Sequence, residues 1–135
     1  MKRVRVVAAL IADESGRFLV QQRLPTGSRA NLWEFPGGKV EAGETDAQAL
    51  IRECREELAV ELVVGARVWG TVHEYTDLAV TLELISARIT KGVPQALGAQ
   101  ALRFCSPSEM QALPFCEADL PLIEALARGE ISHAP

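Results

Sequence analysis

No stretch of this sequence approaches the roughly 18 consecutive apolar residues that a membrane-spanning helix needs. The basic start Met1-Lys2-Arg3-Val4-Arg5 is not followed by an apolar segment with a small-residue cleavage site, so it is expected to open a strand rather than a signal peptide. Cysteine is sparse. Cys54, Cys105 and Cys116 show no CxxC or Cys/His spacing, and three cannot all pair within one chain. They are expected to be small buried hydrophobes in a reducing cytoplasm, not a disulfide framework. Histidine is rarer still: His73 and His133 are far apart and form no HExxH, and His133 falls in a polar tail where no role is expected. An excess of positive charge is also lacking. The net charge of −4 argues against broad affinity for a nucleic-acid polymer. There is no internal repeat, low-complexity tract or linker.

What remains is 135 residues, 48% apolar and 24% charged, the balance of one soluble domain over residues 1–135 with a real core. Residues 4–12 are rich in β-branched and small apolar side chains and read as a strand. Asp13-Glu14-Ser15-Gly16 reads as a turn and residues 18–22 as a second strand, which predicts a hairpin. Residues 24–31 read as a loop. Residues 32–35 form a short apolar-leaning stretch, broken by Pro36-Gly37-Gly38. Residues 46–58 contain no Gly or Pro and read as a helix. Two Val/Leu/Thr-rich strands follow over 61–75 and 78–90, turning near Thr76-Asp77, then a loop over 91–99 and a strand over 101–105. Ser106-Pro107-Ser108-Glu109 is a capping box with proline at the first helical position. Residues 120–128 form a last helix, closed by Gly129. The order of elements predicts an α+β fold with a mixed sheet and helices packed on it.

The negative charge is concentrated. Between residues 38 and 60 stand Glu41, Glu44, Asp46, Glu53, Glu56 and Glu57 against Lys39, Arg52 and Arg55. With Glu53 at 0° on a helical wheel of ~100° per residue, Glu57 falls near +40° and Glu56 near −60°. Ala47, Leu50, Ile51, Cys54 and Leu58 fall between about +60° and +160° and make the expected buried stripe. The acids therefore crowd one flank beside that stripe. Like charges at these spacings repel, and a hard divalent cation such as Mg²⁺ would offset the repulsion. A merely solvated acidic face is the competing reading. Pro36-Gly37-Gly38-Lys39 and Gly43-Glu44-Thr45 bracket a compact loop feeding the helix, with glycines that permit close approach to a ligand and Thr45 or Asp46 available as a cap.

Gly38, five residues, Glu44, seven residues, then Arg52-Glu53-Cys54-Arg55-Glu56-Glu57-Leu58-Ala59-Val60 resemble the Nudix box, GX5EX7REUXEEXGU. Ala59 stands where the family has glycine, a change expected to touch only the left-handed turn at the helix end. Trp33-Glu34-Phe35-Pro36-Gly37-Gly38-Lys39 is similar to the MutT-like branch. Cys105-Ser106-Pro107 and Ala118-Asp119-Leu120-Pro121 are most similar to the CTP pyrophosphohydrolases.

The resemblance implies an α/β/α sandwich around a mixed β-sheet, and hydrolysis of a nucleoside triphosphate to the monophosphate and pyrophosphate with Mg²⁺, or Mn²⁺ in its place. It implies a small-molecule nucleotide as partner, no membrane and a cytoplasmic setting; it carries no signal for an oligomeric state. Carried over residue by residue, Glu53, Glu56, Glu57 and the Gly37 carbonyl are metal ligands. Glu53 or Glu44 is the base, and Arg52 orients the carboxylates. Arg23 is a candidate phosphate contact, with an exposed surface charge as the alternative. Gly38 and Lys39 lie in the substrate loop. Phe35 matches a position near the nucleobase, or is an ordinary core residue. Asp119 either reads the base edge or caps the last helix, and His73 and Tyr75, alternate residues on one strand, are expected to line the same pocket. One departure stands out: Gly98 falls where MutT-like proteins often carry a loop glutamate, so either the box suffices or Gln100 or a water takes its place. The leading expectation is a cytidine-type pyrophosphohydrolase. The alternatives are an 8-oxo-dGTP diphosphatase and a nucleotide-binding module without chemistry.

Overall fold

In the computed structural model, which describes residues 1–131, the chain builds two sheets between helical layers. His133 lies outside the described residues. The strands are β1 (Lys2–Leu10), β2 (Phe18–Gln22), β3 (Trp33–Glu34), β4 (Gly37–Lys39), β5 (Glu61–Glu74), β6 (Leu78–Lys91) and β7 (Ala101–Cys105). The helices are α1 (Asp46–Leu58), α2 (Pro107–Gln111) and α3 (Leu120–Ala127), with a 3₁₀ turn at Glu117–Asp119. A four-stranded mixed sheet runs β4-β1-β6-β5, with β1 and β6 parallel. A three-stranded antiparallel sheet runs β3-β2-β7.

Period-two alternation explains the layers. Val7, Ala9 and Ile11 face α1 and join Leu50, Cys54 and Leu58 in one core. Ala8 and Leu10 face the other way, toward Met110, Leu122 and Leu126 of α2 and α3. Leu50 and Leu58 are fully buried, each contributing about 1.5–3 kcal/mol. All three cysteines are free and buried.

The expected hairpin of the first two strands does not form. β1 and β2 belong to different sheets, and the turn between them is closed by an Ala12–Phe18 bridge, a Leu19 N–H to Ile11 carbonyl bond of 2.9 Å and an Asp13 N–H to Arg17 carbonyl bond of 2.8 Å. Alternation makes both strands two-faced, and each finds other partners. The second difference is β4. Gly37–Lys39, read as a breaker, pairs antiparallel with Val6–Ala8. A Cβ at Gly37 would overlap the Val7 carbonyl oxygen, so the close approach that excludes a side chain is also what makes the strand.

α1 begins and ends where its caps dictate. Thr45 accepts the Gln48 N–H at 3.1 Å, and the Gln48 side chain accepts the Thr45 N–H at 2.9 Å. At the other end Ala59 is left-handed (φ 58°, ψ 39°). Two carbonyls of the last turn are satisfied from the loop after β6: Gln95 N–H donates to Leu58 at 2.9 Å and Leu97 N–H to Glu57 at 3.1 Å. The buried face is rotated relative to the expected stripe. Ala49, on the acidic flank, is fully buried, while Ala47 and Ile51 are only half-buried. The acidic flank is therefore turned inward, toward β4.

Candidate active site

That rotation carries Glu53 and Glu57 out of water. Both line a cavity of about 750 Å³, together with Arg23, Glu34, Lys39, Tyr75 and Asp119. Glu53 lies directly over Gly38, where any Cβ would overlap its carboxylate. A solvated acidic face is thus excluded for Glu53 and Glu57; Glu56 remains exposed and outside the cavity lining.

Arg52 organises this flank. Its Nε and Nη2 donate to the two Glu44 oxygens at 2.7 and 2.9 Å, its Nη1 to Glu53 at 2.8 Å, and its Nη2 to the Lys39 carbonyl at 3.1 Å. Glu44 also accepts the Glu41 N–H at 2.9 Å. These bonds to the charged form, Arg52 first, bring the Glu44 carboxyl down to about 2 and raise the Arg52 guanidinium. A carboxylate so firmly ionised, with both oxygens taken and no place in the cavity wall, is poorly suited to accept a proton. Glu57 is the opposite case. Burial, then the charges of Glu53 and Glu34, push it up to about 7, against hydrogen bonding from Gln21.

At the other layer, β3 builds the base of the cavity. Trp33 N–H donates to the Pro114 carbonyl at 2.8 Å and the Trp33 carbonyl accepts Cys116 N–H at 2.9 Å, which lays the 3₁₀ turn beside Glu34. Asp119 is buried there, 5% exposed, and burial followed by the Glu34 charge holds its carboxyl well above the usual range. It occupies the N-cap position of α3 but makes no side-chain capping bond. The capping alternative is therefore corrected: with αR backbone at 119 and a 3₁₀ turn leading directly into α3, the preceding turn caps the helix instead.

A family model for the NUDIX domain matches residues 6–125. The chain belongs to the NUDIX domain family. It is 43% identical over 125 residues to a CTP pyrophosphohydrolase of Escherichia coli strain K12, covering 93% of this chain and 92% of that protein. It is 30% identical over 128 residues to an 8-oxo-dGTP diphosphatase of the same organism, covering 95% and 99%. The solution structure of the E. coli ORF135 protein matches with a TM-score of 0.81 at 41% identity, covering 96% of this chain and 92% of that one.

Nudix hydrolases are generally dependent on a divalent metal, and the donors here fit a hard cation: Glu53 and Glu57 offer carboxylate oxygens on one cavity wall, crowded enough that burial and the Glu53 charge raise Glu57. Among the described residues no three such side chains already converge as a cage. Arg52 holds Glu53 and approaches Glu56 at 3.6 Å, so ligation by the box acids requires these side chains to turn.

The remaining expected positions divide. Gly37, Gly38, Lys39, Arg23, Phe35 and Tyr75 line the cavity. Arg23 is half-buried and committed, its Nη1 on Glu34 at 3.0 Å and its Nε on the Ser28 carbonyl at 3.2 Å, so the exposed-charge reading fails. Phe35 is both wall and core, tilted against Phe115 at 6.1 Å. Tyr75 accepts the Ala118 N–H at 3.1 Å, with the Arg29 guanidinium 3.8 Å above its ring. His73 is not in the cavity wall; its ring meets Glu117 at 3.2 Å and the edge of Tyr75. β5 ends at Glu74, so the two do not alternate along one strand as expected, and of the pair Tyr75 lines the cavity. Gln100 does not replace a loop acid. Its Nε2 is bound to the Arg23 carbonyl at 2.8 Å and Asn31 Oδ1 at 2.7 Å. Gly98 packs on Glu57, where an added Cβ would sit 3.0 Å from Glu57 Cγ.

Glu34, Gln21 and Arg29 also line the cavity, and sequence reasoning missed all three. A readable signal existed for Glu34, a charge set between two aromatic residues.

Proposed function

We propose that this Nudix protein is a nucleoside triphosphate pyrophosphohydrolase that uses Mg²⁺, with Mn²⁺ as a substitute, and prefers cytidine-type nucleotides: CTP, dCTP and 5-substituted dCTP. The observation that carries this reading is one cavity joining two kinds of group. Glu53 and Glu57 enter it from the α1 layer, and a buried Asp119 that makes no side-chain capping bond enters from the α3 layer. The 43% identity to a CTP pyrophosphohydrolase supports it.

Glu53, Glu56, Glu57 and the Gly37 carbonyl would hold the cation, whose chemistry is to neutralise phosphate charge and polarise water. In the alternative arrangement Glu56, Glu57 and the Gly37 carbonyl hold the cation and Glu53 is instead the base, taking the proton of the attacking water on its carboxylate. Arg52, locked between Glu44 and Glu53, orients that carboxylate and is itself held by Glu44. Lys39, Arg23 and Arg29 supply positive charge to an otherwise acidic wall. Attack at the β-phosphorus breaks its bond to the bridging oxygen, which leaves with the nucleoside monophosphate; the water oxygen stays in pyrophosphate.

At the base end the protonation of Asp119 matters. A neutral carboxyl has one donor and one acceptor. Cytosine presents N3 as acceptor beside an exocyclic amino donor, so a neutral Asp119 can meet both. Guanine in its 8-oxo form also presents an acceptor beside a donor. With the 30% identity to an 8-oxo-dGTP diphosphatase, this keeps that substrate as the second reading. The test is kcat/KM for CTP, dCTP, 5-methyl-dCTP and 8-oxo-dGTP with Mg²⁺, read by pyrophosphate release. Cytidine nucleotides at least ~10-fold ahead are expected, the scale of one buried polar mismatch. An 8-oxo-dGTP lead of that size would replace the first reading with the second.

A further inference from the structure

The turn that carries Asp119 does not begin as the other helical elements do. α1 and α2 each open on a capping box of their own, at Thr45 and at Ser106. The 3₁₀ turn Glu117–Asp119 has no side-chain cap at Cys116, and the Asp119 side chain makes no capping bond either. The first N–H groups of a helical turn lack partners within it and need them from outside. Here Ala118 N–H is met from 43 positions away: it donates to the Tyr75 hydroxyl at 3.1 Å.

Tyr75 is itself held on several sides. Its N–H donates to the Leu78 carbonyl at 2.8 Å, closing the turn between β5 and β6. The Arg29 guanidinium lies 3.8 Å from the centre of its ring, and the His73 ring meets its edge at 4.6 Å. Arg29 is left-handed (φ 53°), a conformation that an arginine keeps only where its surroundings impose it, and a 3.2 Å bond to Asp77 ties it to the same turn. His73, next to last in β5, adds a second link to the 3₁₀ turn through Glu117 at 3.2 Å. A phenylalanine at 75 would fill the same space with no polar atom to satisfy; what the hydroxyl adds is the bond to Ala118.

We propose that Tyr75 is a positioning residue for base selection: its hydroxyl pins the 3₁₀ turn and so sets where the Asp119 carboxyl stands in the cavity that both residues line. Asp119 follows Ala118 directly, so a shift of the turn moves its carboxyl, and no capping bond of its own resists that shift.

This rests on Asp119 as the base-reading group, so one arm of the test needs turnover and the other does not. Tyr75→Phe keeps the ring and removes the hydroxyl. KM for the preferred nucleotide is expected to rise about 5–10-fold, the scale of one lost hydrogen bond, with a smaller change in kcat. The kcat/KM preference between CTP and 8-oxo-dGTP, whichever leads, is expected to narrow at least ~3-fold. An unchanged preference, whether both substrates lose alike or neither does, would overturn the proposal, because a loss of stability alone weakens both equally. The second arm is amide hydrogen exchange in ¹⁵N-labelled protein. The Ala118 amide is expected to exchange at least ~5-fold faster in Tyr75→Phe. The Cys116 amide, held by the Trp33 carbonyl at 2.9 Å, is expected to keep its protection. Unaltered exchange at Ala118, or a matching acceleration at Cys116, would overturn the pin whatever the enzyme turns over. A wild type that hydrolyses neither nucleotide, with the Ala118 effect present, would sink the hydrolase reading and leave the pin standing.

Discussion

Replacing Gly38 with alanine separates the fold from the chemistry more sharply than any substitution of the acids themselves. Gly38 lies in β4 opposite Val7, where the backbone suits any residue; what forbids a side chain is the Glu53 carboxylate directly over it. Alanine must turn that carboxylate aside and break its 2.8 Å bond to Arg52. A charge-assisted bond in a half-buried place contributes about 1.5 kcal/mol. Removing a glycine gives back about 0.4–1 kcal/mol by restricting the unfolded chain. The net is a loss of ~1 kcal/mol, or roughly 3–5 °C in melting temperature for a chain of this size. Turnover should fall far more. Displacing a reacting group by about 1 Å costs on the order of 10²-fold, and Glu53 must move by at least that. Thermal unfolding at pH 7 and kcat at saturating nucleotide and Mg²⁺ give both quantities from one preparation. A Gly38→Ala protein that melts within a few degrees of wild type and keeps kcat within threefold would show that the position of Glu53 against β4 has no part in catalysis.

Asp119→Asn should show a stability gain that depends on pH. The folded carboxyl sits above its ordinary 3.8 because of burial and Glu34. A raised folded value means the unfolded chain ionises first, so wild type loses stability as pH climbs from about 4, by at most ~1.4 kcal/mol per unit. Asparagine escapes that loss. Its melting temperature should match wild type near pH 4 and exceed it increasingly toward neutrality; parallel curves would contradict the burial argument. Ala59→Gly should raise the melting temperature by a few degrees with kcat within twofold. A left-handed alanine costs ~1–2 kcal/mol, only partly offset by ~0.5–1 kcal/mol of glycine chain entropy. A lower melting temperature would mean that the loop contacts at Gln95 and Leu97 depend on the alanine.

Much of the fold was legible from local signals. The limits of α1 follow from Thr45 and the Nudix pattern, and Ser106 with Glu109 closes the predicted capping box over Pro107. The acids of α1 announced the site because repelling charges at helical spacing demand a reason. What was not legible depends on partners distant in sequence. β4 is a strand only because β1 comes within reach of two glycines. The first two strands alternate in a way that any hairpin would share, and only the second sheet shows that they part. The inward turn of the acidic flank rests on Ala49, a residue too small to weigh on a helical wheel. Asp119 looked equally like a cap and a recognition group until the 3₁₀ turn before α3 left its carboxyl without a backbone partner. Gln21 was invisible because its meaning lies in its cross-strand pair with Glu34.

The central claim is that the carboxylates of α1 hydrolyse a nucleoside triphosphate between its α- and β-phosphates. The most direct measurement is the turnover of CTP with Mg²⁺ in ¹⁸O-water, with products resolved by mass, for wild type and for Glu53→Gln. CMP and pyrophosphate are expected in equal amounts, with label in pyrophosphate alone and a kcat at least ~10²-fold lower in the variant, the scale of one lost acid–base contribution. Release of CDP and orthophosphate, label in CMP, or an undiminished Glu53→Gln enzyme would contradict it.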